Sequence, residues 1–322
     1  MQGLVTVFGG SGFIGNQVTR ALAKAGYRVR VAVRRPGLGY KLPLMGDVGQ
    51  VEVVQANVRN PASIGRALDG VEACVNLVGV LYETGRQRFA SLHAKGAEEI
   101  AAACAARGVA RMVQVSALGA GPDSPSKYAR TKAEGEAAVR RRLPQAVILR
   151  PSVVFGVDDQ FFNRFAGLAS LLPVLPLPGG GHTRFQPLFV GDLAQAILAA
   201  VRDPSAAGKT YELGGPEVMT YRQVLETTLA QIHKSRLLTP LPWGVAGLIG
   251  AVGDLQAKFS PFPPVLTSDQ VELLRADNVV SPGAHGLKAL GVTAPVAAEA
   301  VIPTYLYRYR RGGQFAEAMP AA

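Results

Sequence analysis

A doubly wound α/β fold, built on a parallel sheet with a smaller C-terminal lobe, is predicted by three observations. The chain opens with an apolar strand, a glycine-rich turn and an amphipathic helix. Short apolar runs then alternate with helical stretches as far as residue 150. Beyond Pro151 that rhythm gives way to proline, glycine and short apolar segments. Apolar strands separated by helices imply parallel strands covered on both faces, and such sheets bind ligands at the carboxyl ends of their strands.

The opening unit carries most of the information. Leu4, Val5, Val7 and Phe8 make the first strand, Gly9-Gly10-Ser11-Gly12 the turn, and Phe13, Ile14, Val18 and Leu22 one face of the helix, with Gly15 in its first turn. Glycine is needed because the turn demands unusual backbone angles and because a side chain would keep a pyrophosphate away from the helix N-terminus. Glycine clusters alone are common; between a strand and a helix they indicate a dinucleotide site.

The end of the second strand tells which dinucleotide. An acidic residue there normally holds the ribose hydroxyls of NAD. Here residues 28–33 run into Arg34 and Arg35, and the first acidic residue of the chain is Asp47. A carboxylate that would repel a 2′-phosphate is missing, and two guanidiniums that can pair with one are present. The expected cofactor is NADP(H); the bland alternative is two solvated loop charges.

Further strands are expected at residues 51–56, 73–78, 111–116 and 146–150, with helices at 88–107 and 126–142. Residues 171–181 (LLPVLPLPGGG) read as loop or lobe material, 190–194 as the start of a helix with Asp192 in its first turn, and 211–216 as a short strand and turn. Residues 1–155 are expected to form the dinucleotide-binding domain, with 185–215 returning to it. Residues 156–322 would form the C-terminal lobe and a docking tail.

Bulk properties agree with one large α/β chain of 322 residues. A net charge of +11 and an isoelectric point near 9.9 favour anionic partners, nucleotide phosphate and membrane headgroups among them. Nucleic acid is not expected as a partner, because no recognised binding module and no basic helix with stacking aromatics occurs. Cys74 and Cys104 read as small core hydrophobes in a reducing compartment. His93, His182, His233 and His285 lack ligand spacing, so no metal site is indicated. The first strand starts so early that no leader segment is expected, and no uncharged apolar run reaches transmembrane length.

Taken as a set, several motifs resemble the extended short-chain dehydrogenase/reductase superfamily. They are GGSGFIG at 9–15, YARTK at 128–132, LRPSVVFG at 149–156, FVGDLA at 189–194 and ELGGP at 212–216. More narrowly, residues 126–136, 150–159 and the ending PTYLYRYRRGGQF at 303–315 are similar to a bacterial form of the nucleotide-binding accessory subunit of respiratory complex I. The resemblance implies a Rossmann-type fold whose loop from Gly9 to Gly15 binds pyrophosphate. Asn57 and Val58 would lie beside the adenine, and Val78, Gly79 and Ser116 would line the trough. Lys132 would hydrogen-bond the nicotinamide ribose, and the stretch from Pro151 to Val154 would contact the nicotinamide. It also implies other complex I subunits as partners and a peripheral place on the cytoplasmic side of a bacterial inner membrane.

Tyr128 and Lys132, four apart, share one helix face. An ammonium beside a phenol stabilises its phenolate, the form that works as a base. Family members also place a hydroxyl two residues beyond the first serine after the fifth strand, and here that position is Leu118; Ser116 is the nearby candidate. Loss of such a donor costs about 3 kcal/mol of transition-state stabilisation. The balance favours a cofactor clamp over a working catalyst, with an independent NADP-dependent reductase or epimerase, one acting on a quinone precursor among them, as the rival.

In the C-terminal third, residues 242–253 carry no charge, and Val245, Leu248, Ile249, Val252 and Leu255 fall on one helical face. A helix lying in a membrane interface, with Trp243 at headgroup level and Phe259 and Phe262 nearby, and a core helix of the lobe both remain open. Tyr305-Leu306-Tyr307-Arg308-Tyr309-Arg310-Arg311 reads as a docking segment, with disorder expected from Glu317 onward.

Overall fold

The computed structural model describes residues 2–260 and 262–318; of the disorder expected from Glu317 onward, residues 319–322 lie outside the described residues, as does Pro261, while Glu317 and Ala318 close a short helical turn, Gly313–Ala318. The chain divides into two compact units, Met1–Pro151 with Gly191–Leu213 and Ser281–Thr293, and Ser152–Val190 with Gly214–Val280 and Ala294–Ala322.

The first unit is a Rossmann-type sheet. Its strands are β1 (Gln2–Phe8), β2 (Tyr27–Val33), β3 (Val51–Gln55), β4 (Ala73–Asn76), β5 (Arg111–Val115) and β6 (Val147–Pro151), with Thr210–Leu213 at one edge. Their order across the sheet is Thr210–Leu213, β6, β5, β4, β1, β2, β3, and every pairing is parallel. The direction of winding therefore reverses beside β1, whose carboxyl end leads into the glycine turn. Around the sheet run α1 (Phe13–Lys24), α2 (Pro61–Ala67), α3 (Lys95–Ala106) and α4 (Lys127–Arg142).

Local chemistry explains most boundaries. Pro61 opens α2 behind Asn60, whose side chain accepts from the Ser63 amide, and Ser126 caps α4 by accepting from the Ala129 amide. The helix expected at 88–107 differs at its start, where one turn of π-helix, Ala90–Ala94, precedes α3. Phe8, Ile64, Leu68, Cys74, Ile100, Cys104, Met112 and Ile148 share one buried cluster. Burial and the neighbouring Cys104 push the Cys74 thiol up, so it stays protonated and acts as core.

In the second unit, α5 (Phe162–Leu171), α7 (Tyr221–Gln231) and α8 (Trp243–Phe259) are the main helices; α6 (Val190–Arg202) precedes the edge strand. Two readings need correction here, and a third, left open between two alternatives, is narrowed. The proline-rich stretch contains a strand, Val174–Pro178, paired in parallel with Leu237–Leu241. A two-stranded ribbon tolerates prolines because each strand is an edge.

The docking tail is the second correction. Tyr305 and Leu306 are buried in the core with Phe155, Phe162, Leu177 and Ile302. The Tyr305 hydroxyl donates to Asp159 Oδ2 at 2.6 Å. Arg308 donates to Val157 O and Asn163 Oδ1, and Arg310 Nε to Gln231 O at 2.7 Å. Buried aromatics and engaged guanidiniums make this segment part of the lobe itself.

The third concerns α8 and Trp243. Ala246, Gly250, Gly253 and Ala257 face inward, while Val245, Leu248, Val252, Leu255 and Phe259 are exposed. A Cβ on Gly250 would come 2.8 Å from Ser268 Cα, and one on Gly253 would collide with Leu266 O. Close backbone approach thus selects small residues inside and leaves the large apolar ones outside. Trp243 is half-buried, with the Arg275 guanidinium 5.1 Å above its ring, so it is already engaged within the lobe. No described helix is long and apolar enough to cross a membrane.

Candidate functional site: a dinucleotide trough

The candidate residues of the first unit follow the carboxyl ends of β1 to β5, end β6, or lie on α4. Gly9 turns the chain with φ +79°, and a Cβ there would come 3.3 Å from the Leu77 and Val78 backbone. A Cβ on Gly10 would come 2.5 Å from Val31 Cγ1, and one on Gly15 would collide with the Gly10 backbone. Around Gly12 the nearest such contact is Gly9 O at 3.4 Å. Gly12 is also the N-cap of α1, where no side chain caps the helix and the first turn holds no acid. Ser11 and Gly12 are exposed, while Phe13 and Ile14 are half-buried behind them. The uncapped N–H groups of that turn and the positive end of the helix dipole fit a diphosphate.

Arg34 and Arg35 follow β2 directly and are exposed. Neither has an ion pair or side-chain hydrogen bond among the described residues. Beyond β3, the Asn57 side chain accepts from the Arg59 amide at 3.1 Å. Val58 sends its side chain into the core cluster. After β4 the Val78 amide is held by Asn76 Oδ1 at 3.0 Å, and Gly79 is exposed.

Lys132 is buried and donates to Val115 O at 3.3 Å. A Cβ on Gly79 would stand 3.4 Å from its Nζ, and that ammonium lies 5.8 Å from the Tyr128 ring centre. Tyr128 itself is half-buried. Burial lowers the Lys132 pKa to about 8, opposed by the nearby Glu136 carboxylate. Glu136 is itself gripped by Arg150 at 2.6 Å. Lys132 is therefore mostly charged at neutral pH, and its place beside the exposed Gly79 suits it to a ribose hydroxyl.

Ser116 Oγ is buried and, among the described residues, has no hydrogen-bond partner, so a polar group of a ligand is the natural complement. Leu118 is 5% exposed, with its amide bonded to Pro151 O at 2.9 Å. An alkyl group thus occupies the register where a donor to a reacting oxygen is expected. Pro151 ends β6 in this unit, whereas Val154 belongs to the second unit, where it pairs with Leu188.

Three functional positions escape the sequence reading. Asn76 Nδ2 donates to Gln114 Oε1 at 2.8 Å, across the β4–β5 register, and so aims Asn76 Oδ1 at Val78. A polar residue at or next to the carboxyl end of each strand, Asn76 in ACVN and Gln114 in RMVQV, is the signal that could have marked them. The third is His93, dismissed for lacking ligand spacing and found fully buried behind Gly79.

The sheet, the glycine turn and the Tyr128–Lys132 pair define an extended short-chain dehydrogenase/reductase. The NAD dependent epimerase/dehydratase family matches residues 5–214, and the chain belongs to that family. Within it, the chain groups with a particular mitochondrial subunit. It is 36% identical over 317 residues to NADH dehydrogenase [ubiquinone] 1 alpha subcomplex subunit 9 of Arabidopsis thaliana, covering 96% of this chain and 79% of that protein. It is 30% identical to the NADH-ubiquinone oxidoreductase 40 kDa subunit of Neurospora crassa over 94% of this chain and 78% of the other. Among solved structures, the NADPH-dependent quinone oxidoreductase of Escherichia coli complexed with NADPH superposes with a TM-score of 0.73 at 20% identity, covering 94% and 99% of the two chains. That likeness speaks for the fold.

Proposed function

We propose that this chain is an accessory subunit of respiratory complex I that binds NADP(H) and uses it chiefly as a structural ligand. Residues 1–155, with 185–215, hold the nucleotide. The turn from Gly9 to Gly15 takes the pyrophosphate and Arg34 with Arg35 the 2′-phosphate. Asn57 and Val58 take the adenine, and Val78, Gly79, Ser116, Tyr128, Lys132 and Pro151 the nicotinamide end. One observation carries the non-catalytic reading: buried Leu118 occupies the donor position, while the clamp of Tyr128 and Lys132 is intact. A ligand bound only by the folded state stabilises the sheet whose rim partners touch.

Residues 156–322 supply docking, through the exposed apolar face of α8 against partner subunits or lipid, on the cytoplasmic side of a bacterial inner membrane. Single exposed apolar residues are ordinary, but five on one helix face form a patch of the kind interfaces use.

The test is a fractionation. Tagged wild-type protein should be recovered from detergent-solubilised membranes with NADH:quinone oxidoreductase activity. The triple variant Leu248→Ser, Val252→Ser, Leu255→Ser should appear in the soluble fraction with NADPH still bound. A wild-type chain that elutes alone refutes the assignment. The Tyr128–Lys132 pair favours a second reading, an independent NADP-dependent reductase or epimerase; turnover within roughly 1–1000 per second that collapses in Tyr128→Phe would establish it.

A further inference from the structure

Gly79 and Val80 leave the sheet just past β4, at the part of the trough where Lys132 waits. Their backbone is held by a side chain from the helix that follows. We infer that His93 is a positioning residue for the nicotinamide end of the trough, a neutral imidazole that ties the backbone at Val80 to α4 beside Tyr128 and Lys132. The inference rests on the cofactor reading proposed above.

The π-turn Ala90–Ala94 places His93 inward, 2% exposed. Such turns insert one residue into a helix and recur at functional sites. The Val80 amide donates to His93 Nε2 at 3.1 Å. That nitrogen must then be unprotonated, and the ring proton sits on Nδ1. Nδ1 faces Thr131 Oγ1 at 3.2 Å, and the Thr131 hydroxyl donates onward to Tyr128 O at 3.0 Å. One tautomer satisfies the whole chain from Val80 to Tyr128.

Packing locks the ring plane. Phe89 stacks on it with centroids 5.2 Å apart and 22° between planes, and Tyr128 meets it edge-on at 5.2 Å and 85°. A Cβ on Gly79 would stand 3.7 Å from His93 Nε2 and 3.4 Å from Lys132 Nζ, so the histidine and the lysine flank the same backbone. Protonating the imidazole would abolish its acceptor and set a second cation near Lys132. Burial and that ammonium hold the His93 pKa down to about 3. The histidine therefore acts on a ligand through Val80 and Tyr128 while touching none itself.

Two variants separate this role from mere packing. His93→Phe keeps an aromatic ring between Phe89 and Tyr128 and removes the acceptor; His93→Gln offers an amide oxygen to the Val80 amide. The probes are NADPH and 2′-phospho-ADP-ribose, which lacks the nicotinamide, together with hydrogen exchange at the Val80 amide. In His93→Phe, Val80 exchange should quicken and NADPH affinity fall, each by about tenfold, the loss of one net hydrogen bond. Affinity for 2′-phospho-ADP-ribose should hold within about twofold, and His93→Gln should recover both quantities. The inference is overturned if Val80 stays protected in His93→Phe, if both ligands weaken together, or if His93→Gln recovers nothing. A wild-type chain that binds neither ligand while Val80 still depends on His93 would instead refute the cofactor reading, and with it the role assigned to the histidine.

Discussion

Replacing Arg34 and Arg35 together by alanine isolates the groups that would choose between the two nicotinamide dinucleotides. Both side chains are exposed just past the end of β2 and have no ion-pair partner among the described residues. Their removal therefore strands no carboxylate and leaves the fold intact. Contact with a phosphate dianion is charge-assisted, but solvent exposure discounts it to about 1–1.5 kcal/mol per arginine. The pair then accounts for about 2–3 kcal/mol, or roughly 30- to 150-fold in NADPH affinity at 1.4 kcal/mol per decade. NADH lacks the 2′-phosphate and should bind both proteins within about twofold by this argument. Isothermal calorimetry at two ionic strengths measures both effects, because the wild-type preference for NADPH should shrink as salt screens exposed charges. Equal losses for the two nucleotides, or no loss for NADPH, would refute the 2′-phosphate assignment.

Two stability predictions follow from buried polar groups. His93 has a folded-state pKa of about 3 against 6.5 unfolded, so the unfolded chain binds the extra proton between those values. Its contribution is fully present above pH 6.5 and is lost as pH falls toward 3. Urea unfolding should therefore show wild type losing about 2 kcal/mol more than His93→Phe between pH 7.5 and 5; parallel profiles would contradict a buried neutral imidazole. In the second unit, Tyr305→Phe removes the donor 2.6 Å from Asp159 Oδ2, leaving the amides of Gly156, Phe161 and Asn163 and the Asn163 side-chain amide on that carboxylate. Unfolding of that unit should become easier by about 2–3 kcal/mol, and a change below about 0.5 kcal/mol would show that the tail does not anchor the lobe.

Much of the first unit was legible because its signals are local. Strand, glycine turn and helix are adjacent in the chain, and the backbone demands of that turn act on the residues that make it. Tyr128 and Lys132 announce a shared face through their spacing, and Arg34 and Arg35 by standing where an acid would otherwise be. Leu118 could be read as a missing donor because the strand end sets its register.

The sequence by itself determined the parallel α/β class, the glycine turn, the basic end of β2 and the helix that carries Tyr128 and Lys132, since each depends on neighbours within a few residues. The tertiary structure alone decided which apolar faces are covered and which buried polar groups find partners. Gly250 and Gly253 turn inward because Leu266 and Ser268 approach them closely, so α8 shows its large residues outward. Tyr305 joins the core because Asp159, distant in the chain, accepts its hydroxyl. Ser281–Thr293 returns to the first unit, where Glu212 takes the Ser281 amide at 2.8 Å. His93 gains its role from Val80 and Thr131 on either side of it in sequence. Periodicity reports what a residue resembles among its neighbours; burial and hydrogen bonding depend on groups far along the chain, which only the folded arrangement brings within reach.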